Sequence, residues 1–128
     1  MNLLFTLLIT LSLSASSISW RGDYEKAHQE ALSQNKSILV LLTQKNSKNA
    51  SRLIQETFTN QEYVEWIDEN FVCVLVTKGQ KESYPIELLY TLEYPTLFFL
   101  DSHELYSCPP ISGAISPETL AQKLKECF

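Results

Sequence analysis

The sequence contains few residues from which a metal site or a redox site could be built. It has three cysteines in 128 residues, and Cys73, Cys108 and Cys127 lie far apart with no CxxC pair among them. The two histidines, His28 and His103, form no metal-ligand cluster with these cysteines. We therefore expect no bound metal, no cofactor and no dithiol chemistry of the CxxC kind.

The chain also lacks a concentration of positive charge. Fifteen acidic and ten basic residues give a net charge of −5, and the Lys and Arg residues form no stripe along the sequence. This balance disfavours a nucleic-acid surface or a patch for anionic membranes. The sequence has no internal repeat, low-complexity tract or linker, so its length fits one globular domain. We expect protein or peptide partners.

The first residues are typical of a secretory signal peptide. Residues 3–13 are mostly apolar, and four small residues follow them at positions 14–17. The apolar run is shorter than the roughly 20 residues of a membrane-spanning helix, and an uncleaved anchor or a buried N-terminal helix stays open as an alternative. We predict a signal peptide at residues 1–19 and a domain at residues 20–128, with cleavage after Ala15, Ser17 or Ser19 left open. The expected location is the periplasm or cell envelope, or outside the cell.

Export would place the cysteines in an oxidising compartment, where disulfides persist. An odd number of cysteines leaves at least one thiol free or bonded to another chain. Cys73 lies in an apolar run and is predicted to be a small core residue. For Cys108 two alternatives stay open, a structural disulfide with Cys127 and an exposed, reactive thiol.

The apolar patterns predict an α/β fold, with a mixed sheet of about four strands covered by helices on both faces. Unbroken apolar runs, typical of strands buried on both faces, predict strands at residues 37–43, 71–77 and 96–100, and a short strand is predicted at 105–108. Apolar residues at helical spacing predict helices within residues 20–36, 53–58, 59–67 and 83–92, and a last helix from Ser116. Pro109 and Pro110 would stop the pairing of the fourth strand unless it lies at a sheet edge.

Three stretches resemble exported bacterial thioredoxin-like proteins. Trp20 with residues 23–27, and residues 35–40, resemble the opening of that family, and residues 53–60 with 71–74 resemble its active-site helix and the following strand. The most specific stretch is residues 94–101, Tyr-Pro-Thr-Leu-Phe-Phe-Leu-Asp, which is similar to the family's cis-proline loop and next strand. The resemblance covers essentially the whole chain after the signal and implies a thioredoxin-like fold.

The resemblance fails at the position of the family's redox-active cysteines. Alignment on the neighbouring residues places the CxxC motif on Ser47, Lys48, Asn49 and Ala50, so both cysteines are absent. Disulfide exchange needs an attacking thiolate and a resolving thiol, and neither serine nor alanine provides one. Lys45 and Lys48 add positive charge at this helix start with no thiolate to stabilise. We interpret residues 47–50 as a degenerate site without catalytic residues.

The second region implied by the resemblance is Tyr94, Pro95 and Thr96. The dipeptide alone leaves the Tyr94–Pro95 isomer open, whereas the resemblance implies a cis bond beside the active-site loop. There the backbone before the proline can pair with an extended peptide. The alternative is that Pro95 only shapes a turn.

Three functions are compatible with these features. The first is a non-catalytic or chaperone-like role in the cell envelope, in which residues 47–50, Tyr94 and Pro95 form a groove that binds exported proteins or peptides. The second is a thiol-disulfide oxidoreductase or isomerase that acts through a single remaining cysteine such as Cys108. The third is a structural subunit that pairs with a redox-competent partner.

Overall fold

A four-stranded mixed sheet carries helices on both faces, as the sequence predicted. The computed structural model describes residues 18–59 and 61–128. The elements in chain order are α1 (Tyr24–Gln34), β1 (Ser37–Thr43), α2 (Lys48–Glu56) with a 3₁₀ turn at Thr57–Thr59, α3 (Gln61–Asn70), β2 (Phe71–Thr77), β3 (Thr96–Leu100), β4 (Tyr106–Ser112) and α4 (Pro117–Cys127). The predicted signal peptide lies outside the described residues, except for Ile18 and Ser19.

The strands lie in the order β2-β1-β3-β4. β1 runs parallel to β2 and antiparallel to β3, and β3 pairs antiparallel with β4. The predicted bounds of the first three strands are confirmed residue for residue. They were recognisable because a strand covered on both faces needs apolar side chains at every position rather than at alternate ones.

Alternate residues of each inner strand supply two separate halves of the core. Leu39 and Leu41 of β1 face α2, α3 and α4, and pack in a cluster with Leu53, Ile67 and Leu124. The other β1 side chains, such as Ile38 and Val40, belong to a second cluster on the α1 side of the sheet. The two-residue period of a strand therefore builds both cores from one apolar run.

The residues before α1 lie along the outer edge of β2. The Arg21 N–H donates to the Cys73 carbonyl at 2.9 Å, and the Leu75 N–H donates to the Arg21 carbonyl at 2.8 Å. Ile18 is buried in the core, and the Ser19 N–H donates to the Asp68 carboxylate at 3.2 Å. The folded unit thus includes Ile18 and Ser19. Among the described helices, none combines the length and apolarity needed to cross a bilayer.

Strand β4 extends past the predicted end at Cys108 to Ser112 and includes Pro109 and Pro110. It is an edge strand, as the two prolines require, because proline has no N–H to donate to a second neighbour. The register shifts between the pairs Leu97–Ile111 and Phe99–Cys108, so β4 carries one extra residue there. This bulge accommodates the prolines.

The prediction of a helix at residues 83–92 is wrong. The chain there forms a loop with one turn, closed by the Leu89 N–H donating to the Pro85 carbonyl at 3.0 Å. Within this segment (the 84–94 loop) Leu89 alone is buried, while the neighbouring apolar side chains remain exposed or half-buried. One buried side chain per turn gives no apolar stripe on which a longer helix could pack.

The turn between β3 and β4 is held against α1 by a buried tyrosine. The Tyr24 hydroxyl donates to the Glu104 carboxylate at 2.6 Å, and the same carboxylate lies 3.5 Å from His28 Nδ1. Tyr24 is fully buried, and burial, followed by the hydrogen bond to Glu104, raises the pKa of its hydroxyl far above the usual value. The folded state therefore requires the protonated phenol.

We predict that stability falls at alkaline pH because of Tyr24. The raised pKa means that only the unfolded state loses this proton as the pH rises above about 10, so the stabilisation present below about pH 10 is lost with a limiting slope of about 1.4 kcal/mol per pH unit. Chemical denaturation of the native protein and of Tyr24→Phe across this range measures the difference. An equal decline in both proteins would contradict the assignment.

Candidate functional site

The two segments implied by the family resemblance leave the sheet at the same edge. Residues 47–50 follow the carboxyl end of β1, and Tyr94 precedes the amino end of β3, where Thr96 pairs with Leu42 of β1. Because β1 and β3 are antiparallel, these two ends meet. The carboxyl end of β2 lies at this edge as well, and the Lys78 N–H donates to the Thr43 carbonyl at 2.8 Å.

Residues 47–50 form the start of α2. Ser47 is the N-cap, and its side-chain oxygen accepts a hydrogen bond from the Ala50 N–H at 3.1 Å. Lys48 and Asn49 are exposed, while the Ala50 methyl group is buried. Thus the serine that stands at the first cysteine position of the motif stabilises the helix end as a cap. None of these four side chains is a nucleophile for disulfides.

The segment before β3 is fixed by a cluster of hydroxyl groups. Thr96 Oγ1 donates to the Glu93 carbonyl at 2.7 Å and lies within 3.0 Å of the hydroxyls of Thr91 and Ser112. The Tyr94–Pro95 peptide bond is cis, and the Pro95 carbonyl accepts a hydrogen bond from the Gly113 N–H at 2.9 Å.

Tyr94 is more exposed than the two residues that follow it. Pro95 and Thr96 are buried, so of the three residues predicted to bind peptide, only Tyr94 offers a side chain to a ligand. Its backbone N–H and carbonyl have no hydrogen-bond partner in the part of the chain that the structure describes. Tyr94 therefore presents an unpaired backbone at the end of a strand.

Among the described residues, Ser47 and Lys48 line one concavity at this edge and Tyr94 lines another. One, of about 550 Å³, is polar and includes Ser47, Lys48 and Arg52 in its wall. The other, of about 370 Å³, lies beside the 84–94 loop, and we call it the Tyr94 groove. Its wall consists of Leu42, Gln44, Lys78, Tyr84, Ile86, Leu89, Tyr90, Thr91, Leu92 and Tyr94.

Three apolar side chains on the wall of the Tyr94 groove are strongly exposed. Leu92 is 83% exposed, Tyr90 67% and Ile86 64%. Sequence reasoning missed them as a surface because it assigned them to a helix. A signal was present, since in a helix Leu88 and Leu92 would share the face opposite Ile86, so that the apolar residues would not form one stripe. The Tyr106 hydroxyl donates to the Leu88 carbonyl and ties the loop to β4.

The cysteines lie away from this edge. Cys108 forms a disulfide with Cys127, with Cα atoms 5.8 Å apart, so of the two alternatives for Cys108 the structure has the disulfide and not the reactive thiol. Cys108 also pairs with Phe99, three residues along β3 from Thr96 and thus roughly 10 Å from the edge. Cys73 is free but fully buried, and burial raises the pKa of its thiol strongly.

Comparison with protein families identifies the fold. A family described as thioredoxin-like matches residues 19–102, which is more than half of the chain. The chain belongs to the thioredoxin-like family. The match includes α1, α2, α3 and the first three strands, and with them both segments of the candidate site in this thioredoxin-like protein.

Solved structures agree with the family assignment. The thioredoxin-like chain is similar to the DsbH oxidoreductase, with a TM-score of 0.69, 16% identity and coverage of 94% of this chain and 91% of that one. It is similar to a putative disulphide-isomerase from Bacteroides thetaiotaomicron, with a TM-score of 0.73, 21% identity and coverage of 87% and 93%. A thioredoxin from Thermus thermophilus gives a TM-score of 0.67 at 12% identity, with 87% of each chain covered. Comparison with curated proteins gives no match.

Proposed function

We propose that this protein is an exported, non-catalytic thioredoxin-like module that binds extended segments of other exported polypeptides at the Tyr94 groove. The observation that carries the proposal is the unpaired backbone of Tyr94 beside three exposed apolar side chains. An extended peptide can add to such a backbone as a strand, while its side chains contact the apolar wall.

The chemistry of the described residues favours binding over catalysis. Ser47 and Ala50 occupy the position that the resemblance gives to the CxxC motif, and the free thiol at Cys73 is buried. A role for Cys108 as a single redox-active thiol would first require reduction of the Cys108–Cys127 disulfide. That disulfide also supports export, because structural disulfides persist in oxidising compartments.

Removing the exposed apolar side chains tests the location of binding. We predict that Tyr90→Ser/Leu92→Ser weakens the binding of a panel of extended apolar peptides roughly thirtyfold, because each of the two lost contacts contributes on the order of 1 kcal/mol. Leu32→Ser/Leu105→Ser is the matched control, because both apolar side chains are exposed and neither lies on the wall of the groove. Fluorescence anisotropy measures the affinities, and thermal denaturation verifies the folding of each variant.

The same proteins separate the proposed function from the enzymatic alternative. We expect no turnover in insulin reduction with dithiothreitol. Equal peptide affinity in the groove variant and the control would place binding elsewhere. Turnover that disappears in Cys108→Ser would replace the proposal with a single-thiol oxidoreductase.

A further inference from the structure

Positive charge is concentrated at the edge of the sheet that carries the Tyr94 groove. Five of the ten basic residues lie in the two segments that follow the parallel strands β1 and β2. They are Lys45, Lys48 and Arg52 after β1, and Lys78 and Lys81 after β2. The carboxyl ends of β1 and β2 pair at Thr43 and Thr77, so the fold brings together cations that are about thirty residues apart in sequence.

Few acidic residues accompany these cations in sequence, the nearest being Glu56, one helical turn after Arg52, and Glu82, directly after Lys81. Residues 31–55 and residues 70–81 contain no Asp or Glu, although acidic residues outnumber basic ones in the whole chain by fifteen to ten. All five cationic side chains are exposed, and none forms a salt bridge with another described residue. An acidic protein therefore carries at one edge five exposed cations that form no salt bridge with a described residue, bordered in sequence by Glu56 and Glu82.

The cationic edge is continuous with the Tyr94 groove. Lys78 lies on the groove wall, with its Nζ 5.6 Å from the centre of the Tyr94 ring, and it is the one charged residue of that wall. Lys45 directly follows Gln44, another residue of the wall. The carboxylates of Glu82, Glu87 and Glu93 lie on or next to the 84–94 loop, but none of them belongs to the wall.

We infer that the peptide segments bound at the Tyr94 groove are acidic, with one or two apolar side chains flanked by Asp or Glu. The inference rests on the proposed function and adds the substrate class. Exposed Ile86, Tyr90 and Leu92 provide the apolar contacts, and the cationic edge provides the complementary charge. Charge complementarity of this kind selects partners and accelerates association.

The test uses three synthetic peptides with the same apolar centre, flanked by glutamate, glutamine or lysine. We expect the native protein to bind the glutamate peptide on the order of tenfold more tightly than the glutamine peptide at low salt, and the difference to shrink as salt rises from about 0.02 M to about 0.3 M. The lysine peptide should bind most weakly.

A charge-reversal pair locates the effect. Lys45→Glu/Lys81→Glu should abolish the preference for the glutamate peptide, because neither side chain is on the groove wall and only the charge of the edge changes. Lys26→Glu/Lys123→Glu on α1 and α4 makes the same change in net charge elsewhere and should retain the preference.

The following outcomes would overturn the inference. Equal affinities for the glutamate and glutamine peptides would overturn it and leave peptide binding intact, whereas no binding of any peptide would overturn the proposed function as well. A single-stranded oligonucleotide of similar charge that binds as tightly as the glutamate peptide would indicate a general polyanion surface instead. Loss of the preference in both charge-reversal pairs would show that net charge, and not the edge, decides it.

Discussion

Replacing Ser47 and Ala50 together with cysteine is expected to convert the protein into a disulfide reductase. The two positions are the N-cap and the third residue of α2, joined by the hydrogen bond from the Ala50 N–H to Ser47 Oγ. A thiolate at position 47 would lie at the positive end of the helix dipole, near Lys45 and Lys48. If its pKa falls from about 8.5 to about 7, the thiolate fraction at pH 7 rises from about 3% to roughly half.

Insulin reduction with dithiothreitol measures this gain of function. The native protein should show no turnover, and Ser47→Cys alone should form mixed disulfides without resolving them, because the second thiol is missing. Ser51→Cys/Gln55→Cys places two thiols on the exposed part of the same helix and serves as the matched control. If the paired substitution at positions 47 and 50 is no more active than this control, residues 47–50 do not occupy the family's redox position.

Breaking the Cys108–Cys127 disulfide should cause the largest loss of stability. The bond joins edge strand β4 to the last turn of α4 across a sequence separation of 19 residues. A loop of this length restricts the unfolded chain by about 3 kcal/mol, which corresponds to a drop in melting temperature of roughly 10–15 °C. The Cys108 side chain is also buried in the core, so its replacement by alanine should add a small packing loss.

Thermal denaturation with and without dithiothreitol measures the contribution of this bond. The reductant should lower the melting temperature of the native protein but leave Cys108→Ala/Cys127→Ala unchanged. Under oxidising conditions a thiol reagent should label one cysteine, Cys73, when the unsubstituted protein is denatured. It should label none when the protein is folded. A melting temperature that does not respond to the reductant would contradict the disulfide.

Local sequence patterns were sufficient to predict an element where the pattern is compatible with only one local structure. The N-cap Ser116 and the following Pro117 start α4 as predicted, because both residue types satisfy the requirements of a helix start without help from the rest of the chain. The 83–92 segment failed because a helical spacing of apolar residues is necessary but not sufficient for a helix. Leu89 is the one fully buried side chain of the segment, and Tyr84 and Leu88 pack only partly against the core, so the segment remains a loop.

For the candidate site as well, one part could be predicted from local sequence and another part could not. The sequence placed Ser47 and Ala50 at the family's redox position and Tyr94 before a proline, because the resemblance is carried by local stretches of sequence. It did not show that Ser47 and Tyr94 line separate concavities, nor that Leu92 lies exposed on the same wall as Tyr94. These facts depend on how the loops after β1 and β2 and before β3 pack against one another.

The sequence by itself determined the α/β class, the central strands and the absence of a CxxC pair, because each follows from residue types over a few consecutive positions. The tertiary structure decided the partner of Cys108 and the gathering of Lys45 and Lys78 at one edge. The disulfide and the pair of lysines each involve residues that are distant in the chain. Their proximity is fixed by strand order and by the packing of α4 on the sheet, and neither is encoded in any single local stretch.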